Sequence, residues 1–227
     1  TSVAGIIAAS AIEDGGMSGV APGVRLIAVR ACWSDPGNNK KAVCSSEKLA
    51  KAIDFAVSNN AQVINLSVGG PKDSLIAALI QSAYGSGVTV VAAAGNGGAK
   101  GKPVYPAALN EVIAVSATDS RDGLYSLSTR GDYIDVAAPG VDILGPAPGG
   151  AWGMESGTSQ AAAHVSGAVA LLLQDYPELS PFQVKHLLGS SAVDLGKPGK
   201  DQEFGDGRID VEKALDKLDF AGETSAR

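Results

Sequence analysis

The 227-residue sequence is poor in charge, in cysteine and in histidine, and each shortage excludes something. Charged residues are 19% of the chain against 45% apolar ones, a balance that argues against disorder and for a sizeable core. Acidic residues outnumber basic ones, 24 to 18, for a formal net charge of -6. No basic surplus exists to neutralise phosphates, so a nucleic-acid partner is not expected. No apolar run approaches the ~20 residues of a membrane span. No CxxC or HxxxH spacing offers a zinc site. No secretory leader opens the sequence, as in a mature, truncated or cytosolic chain. No internal repeat or low-complexity linker divides it, so one domain over 1–227 is expected.

Two cysteines, Cys32 and Cys44, flank a polar loop. They read either as a disulfide, stabilising by roughly 3 kcal/mol on the chain-entropy model, or as two free thiols. Short apolar strands alternate with longer helical stretches, the pattern of a parallel α/β sheet. Strands are predicted at 25–31, 62–67, 88–94, 112–118 and 133–138. Helices are predicted at 45–59, at 73–85 with Asp73 as cap, at 159–175, from Ser180-Pro181, and at 210–218. Residues 88–94 (VTVVAAA) form an almost unbroken apolar run, as in a strand covered on both faces. The stretch 219–227 reads as a flexible tail. Residues 1–9 read as the interior of a buried helix, which leads us to expect further chain upstream.

Three segments carry chemistry. In Gly157-Thr158-Ser159 a tight turn delivers a serine to the start of an apolar helix, where free N–H groups and the helix dipole favour developing negative charge. Such a serine is either a nucleophile or a plain helix cap. In Ala93-Ala94-Gly95-Asn96 a buried strand ends in an asparagine, either an oxyanion donor or an ordinary turn residue. In Asn65-Leu66-Ser67-Val68-Gly69-Gly70 another strand ends in glycines, where exposed backbone can pair with an extended peptide.

Together these segments resemble the subtilisin-like serine proteases, the subtilases. Gly157-Thr158-Ser159 with His164-Val165-Ser166-Gly167 is similar to the nucleophile motif. Ala93–Asn96 resembles the oxyanion motif, and Asn65–Gly70 the substrate strand. The segments Gly19-Val20-Ala21-Pro22, Tyr105-Pro106-Ala107, Ala138-Pro139-Gly140 and Gly205–Asp210 match in order. The resemblance implies a three-layer α/β/α fold with a mostly parallel sheet, N-terminally incomplete here. It implies Ser159 as nucleophile and Asn96 as oxyanion donor. Ser67, Val68 and Gly69 would line one side of a peptide groove, and Ala94 and Gly95 the opposite wall of the first specificity pocket. It implies polypeptide substrates, no catalytic metal or cofactor, and an extracellular or periplasmic home. It leaves room for a structural calcium on carbonyls near Ala107, Leu109 and Val112. Two positions depart from the pattern: Gln160 stands where the family has Met, and Ala163 where it has Pro.

The family orders its triad Asp, His, Ser. Thr1-Ser2-Val3-Ala4-Gly5 resembles the end of its His-Gly-Thr-x-Val-Ala-Gly motif, so the catalytic His is expected two residues before Thr1 and the Asp further upstream. That segment is expected as missing sequence or a separate chain, and a propeptide inhibitor as a further partner. His164 lies five positions past Ser159 on one helix, about 140° around the axis and roughly 7.5 Å along it, badly placed to take its proton. The chain alone is therefore expected to be nearly inactive. The alternative is a non-catalytic peptide-binding module that keeps the groove. An α/β-hydrolase is excluded because position 161 is Ala rather than Gly and no His follows Asp194. A P-loop is excluded because Asn96 and Pro103 stand where Gly and Ser/Thr belong.

Overall fold

A computed structural model describes residues 1–10, 17–35 and 38–225, with side chains for all of these except 38–41 and 219–225. The chain runs α1 (Ser2–Ala8), β1 (Cys32–Asp35), β2 (Asn38–Cys44), α2 (Ser46–Ser58), β3 (Val63–Leu66), α3 (Ser74–Gly85), β4 (Thr89–Ala93) and β5 (Val112–Thr118). There follow β6 (Val136–Pro139), β7 (Ile143–Pro146), β8 (Trp152–Glu155), α4 (Thr158–Asp175), α5 (Pro181–Ser191) and α6 (Val211–Ser225).

Strands β3, β4, β5 and β6 form a parallel sheet in that order. Every residue of β4 and β5 is buried, because helices cover both faces. Side chains alternate across the sheet. Val90 and Ala92 of β4, with Val112 and Ala114 of β5, pack against α2 and α3. Val91, Ala93, Val115 and Ala117 pack against α4, α5 and α6. This gives the three-layer α/β/α arrangement.

The layer against α4 tapers. Its inward pairs read large then small toward the carboxyl ends of the strands: Val91 then Ala93, Val115 then Ala117, Val136 then Ala138. Helix α4 matches them, with Ala161 and Ala162 at its start and Leu172 and Leu173 near its end. Small residues facing small residues let the first turn of α4 approach the sheet edge closely.

Local signals explain most helix boundaries. Asp73 Oδ1 accepts from the amides of Leu75 (2.9 Å) and Ile76 (3.1 Å) and opens α3. Ser180 and Gln183 form a reciprocal capping box at the start of α5, with Pro181 in the first helical position. Helix α6 continues to Ser225, past the expected Leu218, and the side chains of the expected tail at 219–227 lie outside the described residues. The cysteines form a disulfide that closes the β1–β2 hairpin, where Cys32 lies directly opposite Cys44.

One expected strand fails. Residues 25–31 form no ladder, and Val24, Leu26 and Val29 remain 36%, 46% and 43% exposed. A cavity of about 1030 Å³ lies between this segment and β3, lined also by Ala170 and Leu171 of α4. An apolar alternating run becomes a strand only where a neighbour supplies the ladder, and here the free edge of β3 stands across the cavity.

Candidate active site

Ser159 is the second residue of α4, so its amide is among the first-turn N–H groups that have no partner within the helix. Gly157 precedes the helix, and its amide donates to the Gly140 carbonyl (2.7 Å). A Cβ on Gly157 would stand 3.2 Å from both Asn96 Nδ2 and Gln160 Oε1, so glycine lets the turn pass close to the asparagine.

Asn96 follows the carboxyl end of β4, and its orientation is fixed by the residue before Ser159. Asn96 Oδ1 accepts from the Thr158 amide (3.1 Å) and the Thr158 hydroxyl (3.1 Å). With its oxygen engaged twice, the side chain keeps Nδ2 as its free donor, beside the first turn of α4. Thr158 is fully buried, and its Oγ accepts from the Gly95 amide (3.1 Å). Sequence reasoning gave Thr158 no role of its own; the available signal was its place between the glycine and the serine.

The two walls of the expected groove follow the ends of β3 and β4. Ser67 Oγ donates to the Ser159 carbonyl (3.1 Å), and Ser159 Oγ donates to the Ser67 carbonyl (3.4 Å), so the β3 wall and the serine face each other directly. Beyond Val68 and Gly69, Gly70 bridges antiparallel to Tyr105 with two 2.9 Å bonds. A second cavity of about 370 Å³ adjoins Val68 and Gly69, with Leu49, Tyr105 and Val43 of the disulfide-closed hairpin among its walls. On the other wall, the Ala94 carbonyl accepts from Tyr133 Oη (2.7 Å) and the Gly95 carbonyl from the Thr129 amide (2.9 Å). Burial pushes the Tyr133 hydroxyl up to about 12, so it stays a neutral donor and holds that wall. Gly95 has φ +104°, and a Cβ there would meet Val104 at 2.9 Å. The larger cavity borders Ser67 and Val68 from behind but reaches neither Ser159 nor Asn96.

Neither histidine faces the serine hydroxyl. His164 Nδ1 donates to the Gln160 carbonyl (2.9 Å), and burial lowers its pKa, so the ring is neutral near pH 7. His186 is exposed on α5 with its ring stacked against Phe182. Gln160 is buried and donates from Nε2 to Glu155 (2.7 Å), which ties the residue after the serine to β8.

Of the three carbonyls considered for calcium, that of Val112 accepts from a lysine. Lys185 Nζ donates to the Val112 carbonyl (2.9 Å) and the Asn110 carbonyl (3.2 Å) and pairs with Asp135 (2.8 Å). Lys200 pairs with the other oxygen of Asp135 (3.2 Å). A divalent ion at the Val112 carbonyl would face the like charge of this ammonium. Among the described residues no group of three or more His, Cys, Asp or Glu is placed to hold a metal, and no helix is long and apolar enough to cross a membrane.

Comparison with known proteins identifies the family. A sequence model of the subtilase family matches residues 1–207. The chain is 40% identical to subtilisin DY of Bacillus licheniformis, over 94% of this chain and 76% of that protein. It is 39% identical to subtilisin E of Bacillus subtilis (strain 168), over 94% of this chain and 55% of that one. It is 37% identical to the minor extracellular protease Epr of the same organism, over 100% of this chain and 34% of Epr. The chain thus spans about a third to three quarters of these relatives. The crystal structure of fervidolysin from Fervidobacterium pennivorans, a keratinolytic enzyme related to subtilisin, superposes with a TM-score of 0.83 at 34% identity. That match covers 95% of this chain and 35% of fervidolysin. A subtilisin-like fold, a family model over most of the length and relatives near 40% identity lead to one conclusion: the chain belongs to the subtilase family of subtilisin-type serine proteases.

Proposed function

We propose that the protein carrying this chain is a serine endopeptidase that acts through an acyl-enzyme on Ser159. The observation that carries this reading is the clamp on Asn96. Its oxygen is held twice by Thr158, which leaves Nδ2 free beside the helix start that bears Ser159. Ser159 Oγ attacks the scissile carbonyl carbon. The carbonyl oxygen takes up negative charge and receives hydrogen bonds from Asn96 Nδ2 and the Ser159 amide. Collapse of the intermediate expels the amine, and water then releases the acyl group. Ser67, Val68 and Gly69 pair with the extended substrate on one side, and Ala94 and Gly95 bound the pocket on the other. In subtilisin itself, loss of the oxyanion asparagine costs about 10²–10³ in turnover.

The proton acceptor and its carboxylate partner belong, on this reading, to a segment upstream of Thr1. His164 and His186 are the only histidines in the sequence, and His164 is committed to the Gln160 carbonyl. The chain by itself is then nearly inert, since a serine without a base is a poor nucleophile. The unpaired edge of β3 and the 1030 Å³ cavity beside it suit that segment as an added strand, whether continuous or as a second chain. A propeptide inhibitor would use the same groove as substrate. An extracellular or periplasmic location fits the disulfide, and the relative Epr is named as extracellular.

A fluorophosphonate probe tests the reading. Full-length protein is labelled at Ser159, and residues 1–227 alone are labelled at least about a thousandfold more slowly, given the ~10⁶-fold loss when subtilisin lacks its triad histidine. A full-length protein that binds peptides yet takes no label is instead a non-catalytic binding module.

A further inference from the structure

A directed hydrogen-bond chain runs from the middle of α4 to the backbone of Ser159 itself. Ser166, 3% exposed, donates from Oγ to Asn65 Oδ1 (3.0 Å) and shares that hydrogen with the Ala162 carbonyl (2.8 Å). Asn65 Nδ2 donates to Ser67 Oγ (3.0 Å). Ser67 Oγ donates to the Ser159 carbonyl (3.1 Å). One polarity keeps the bond to the Ser159 carbonyl. A hydroxyl has one hydrogen, and Ser67 gives its own to a carbonyl that can only accept. Ser67 must therefore accept from the amide nitrogen of Asn65, which turns the Asn65 oxygen toward Ser166. The opposite amide orientation would leave Ser166 donating to the Ala162 carbonyl but would draw the Ser67 hydrogen onto the Asn65 oxygen, away from the Ser159 carbonyl.

We propose that Asn65 and Ser166 are positioning residues for the nucleophile. They hold Ser67, which is at once the first residue of the substrate wall and the partner of Ser159 through two reciprocal bonds. Neither is one of the groove residues named above; both line the larger cavity, which also borders Ser67 and Val68. Their effect is on the separation and angle between the groove backbone and Ser159 Oγ. That geometry sets the rate of attack more than the strength of peptide binding. This inference rests on the reading of Ser159 as nucleophile.

The test compares full-length wild type with Ser166→Ala, Ser166→Thr, Asn65→Ala and the Ser166→Ala/Asn65→Ala double variant. The readouts are kcat and KM on a peptide substrate, fluorophosphonate labelling rate and thermal midpoint. Ser166→Ala and Asn65→Ala each lower kcat about five- to tenfold with KM within about twofold, the signature of a misaligned attack. Ser166→Thr, which restores a hydroxyl, recovers most of the rate. Because Ser166 acts through Asn65, the double variant is no slower than Asn65→Ala. Wild-type kcat in a folded Ser166→Ala variant, or losses that multiply in the double variant, overturns the proposal. Should Asn65→Ala not fold, Ser166→Ala against Ser166→Thr decides alone. An unlabelled wild type overturns the nucleophile assignment and this inference with it. A labelled wild type with unaffected variants overturns only the inference.

Discussion

Thr158→Val is the sharpest probe of the oxyanion geometry. Valine keeps the shape of threonine and removes only the hydroxyl. Two bonds go: the 3.1 Å donation to Asn96 Oδ1 and the 3.1 Å acceptance from the Gly95 amide. A net hydrogen bond is worth about 1 kcal/mol, and a backbone amide stranded beside a buried methyl costs about 1–3 kcal/mol, so folding stability falls by about 2–4 kcal/mol. The rate responds differently. Asn96 keeps its bond to the Thr158 amide (3.1 Å), so its amide is loosened rather than lost. The fall in kcat is then about 10- to 100-fold, short of the 10²–10³ that removal of the asparagine costs in subtilisin. Steady-state kinetics of the full-length enzyme, normalised to titrated active sites, give kcat and KM. Urea denaturation gives the stability term. Thr158→Ser, which retains the hydroxyl, stays within about threefold of wild type. A folded Thr158→Val enzyme with unchanged kcat would refute the clamp, as would a Thr158→Ser enzyme as slow as the valine variant.

Three further outcomes follow from the packing. Asp135→Asn removes the buried charge that two partly exposed ammonium groups share, so the urea-derived stability falls by about 1–2 kcal/mol; an unchanged stability is inconsistent with that ion triad. Burial lowers the pKa of His164 below its unfolded value. The folded state thus binds fewer protons than the unfolded state in that range. Its stability is full above the unfolded pKa of about 6.5 and is lost as pH falls through the lower folded value. Urea midpoints at pH 7.5 and 5.5 converge when His164→Asn is compared with wild type; an unchanged pH slope in the variant would assign the effect elsewhere. Replacing Cys32 and Cys44 by Ser opens a loop of 12 residues' separation and lowers stability by roughly 3 kcal/mol, measured by denaturation without reductant. Equal midpoints for the two forms would contradict that value.

What could be read from the sequence depended on how local its cause was. The run at 88–94 announced a strand covered on both faces because both layers are apolar at every step. Asp73 and Ser180 marked helix starts because a cap acts over three residues. Ser159 and Asn96 stood out only once their glycine-turn segments were read together as a family resemblance, since each turn alone also fits a plain cap or loop. By contrast, Thr158 meets Asn96 across 62 residues and Ser166 meets Asn65 across 101, and only the assembled sheet brings such partners together. Residues 25–31 have strand-like composition, yet a ladder is a property of two segments. The cysteine pair stayed undecided for a similar reason: spacing permits a bond, and the facing register of β1 and β2 makes it. The β7–β8 hairpin, which leads directly into α4, gave no signal strong enough to be expected.

The taper of the layer beneath α4 has a consequence for how such a cleft can change. Where Ala93, Ala117 and Ala138 meet Ala161 and Ala162, each facing side chain is one methyl group. The gap between Ser159 and the strand edge is therefore metered in single carbon atoms rather than by loop shape. One added methylene at any of these alanines would tilt the helix like a shim under a beam and swing the hydroxyl off its line of attack. Added side-chain volume is thus tolerated at the rim hairpins more readily than at these alanines.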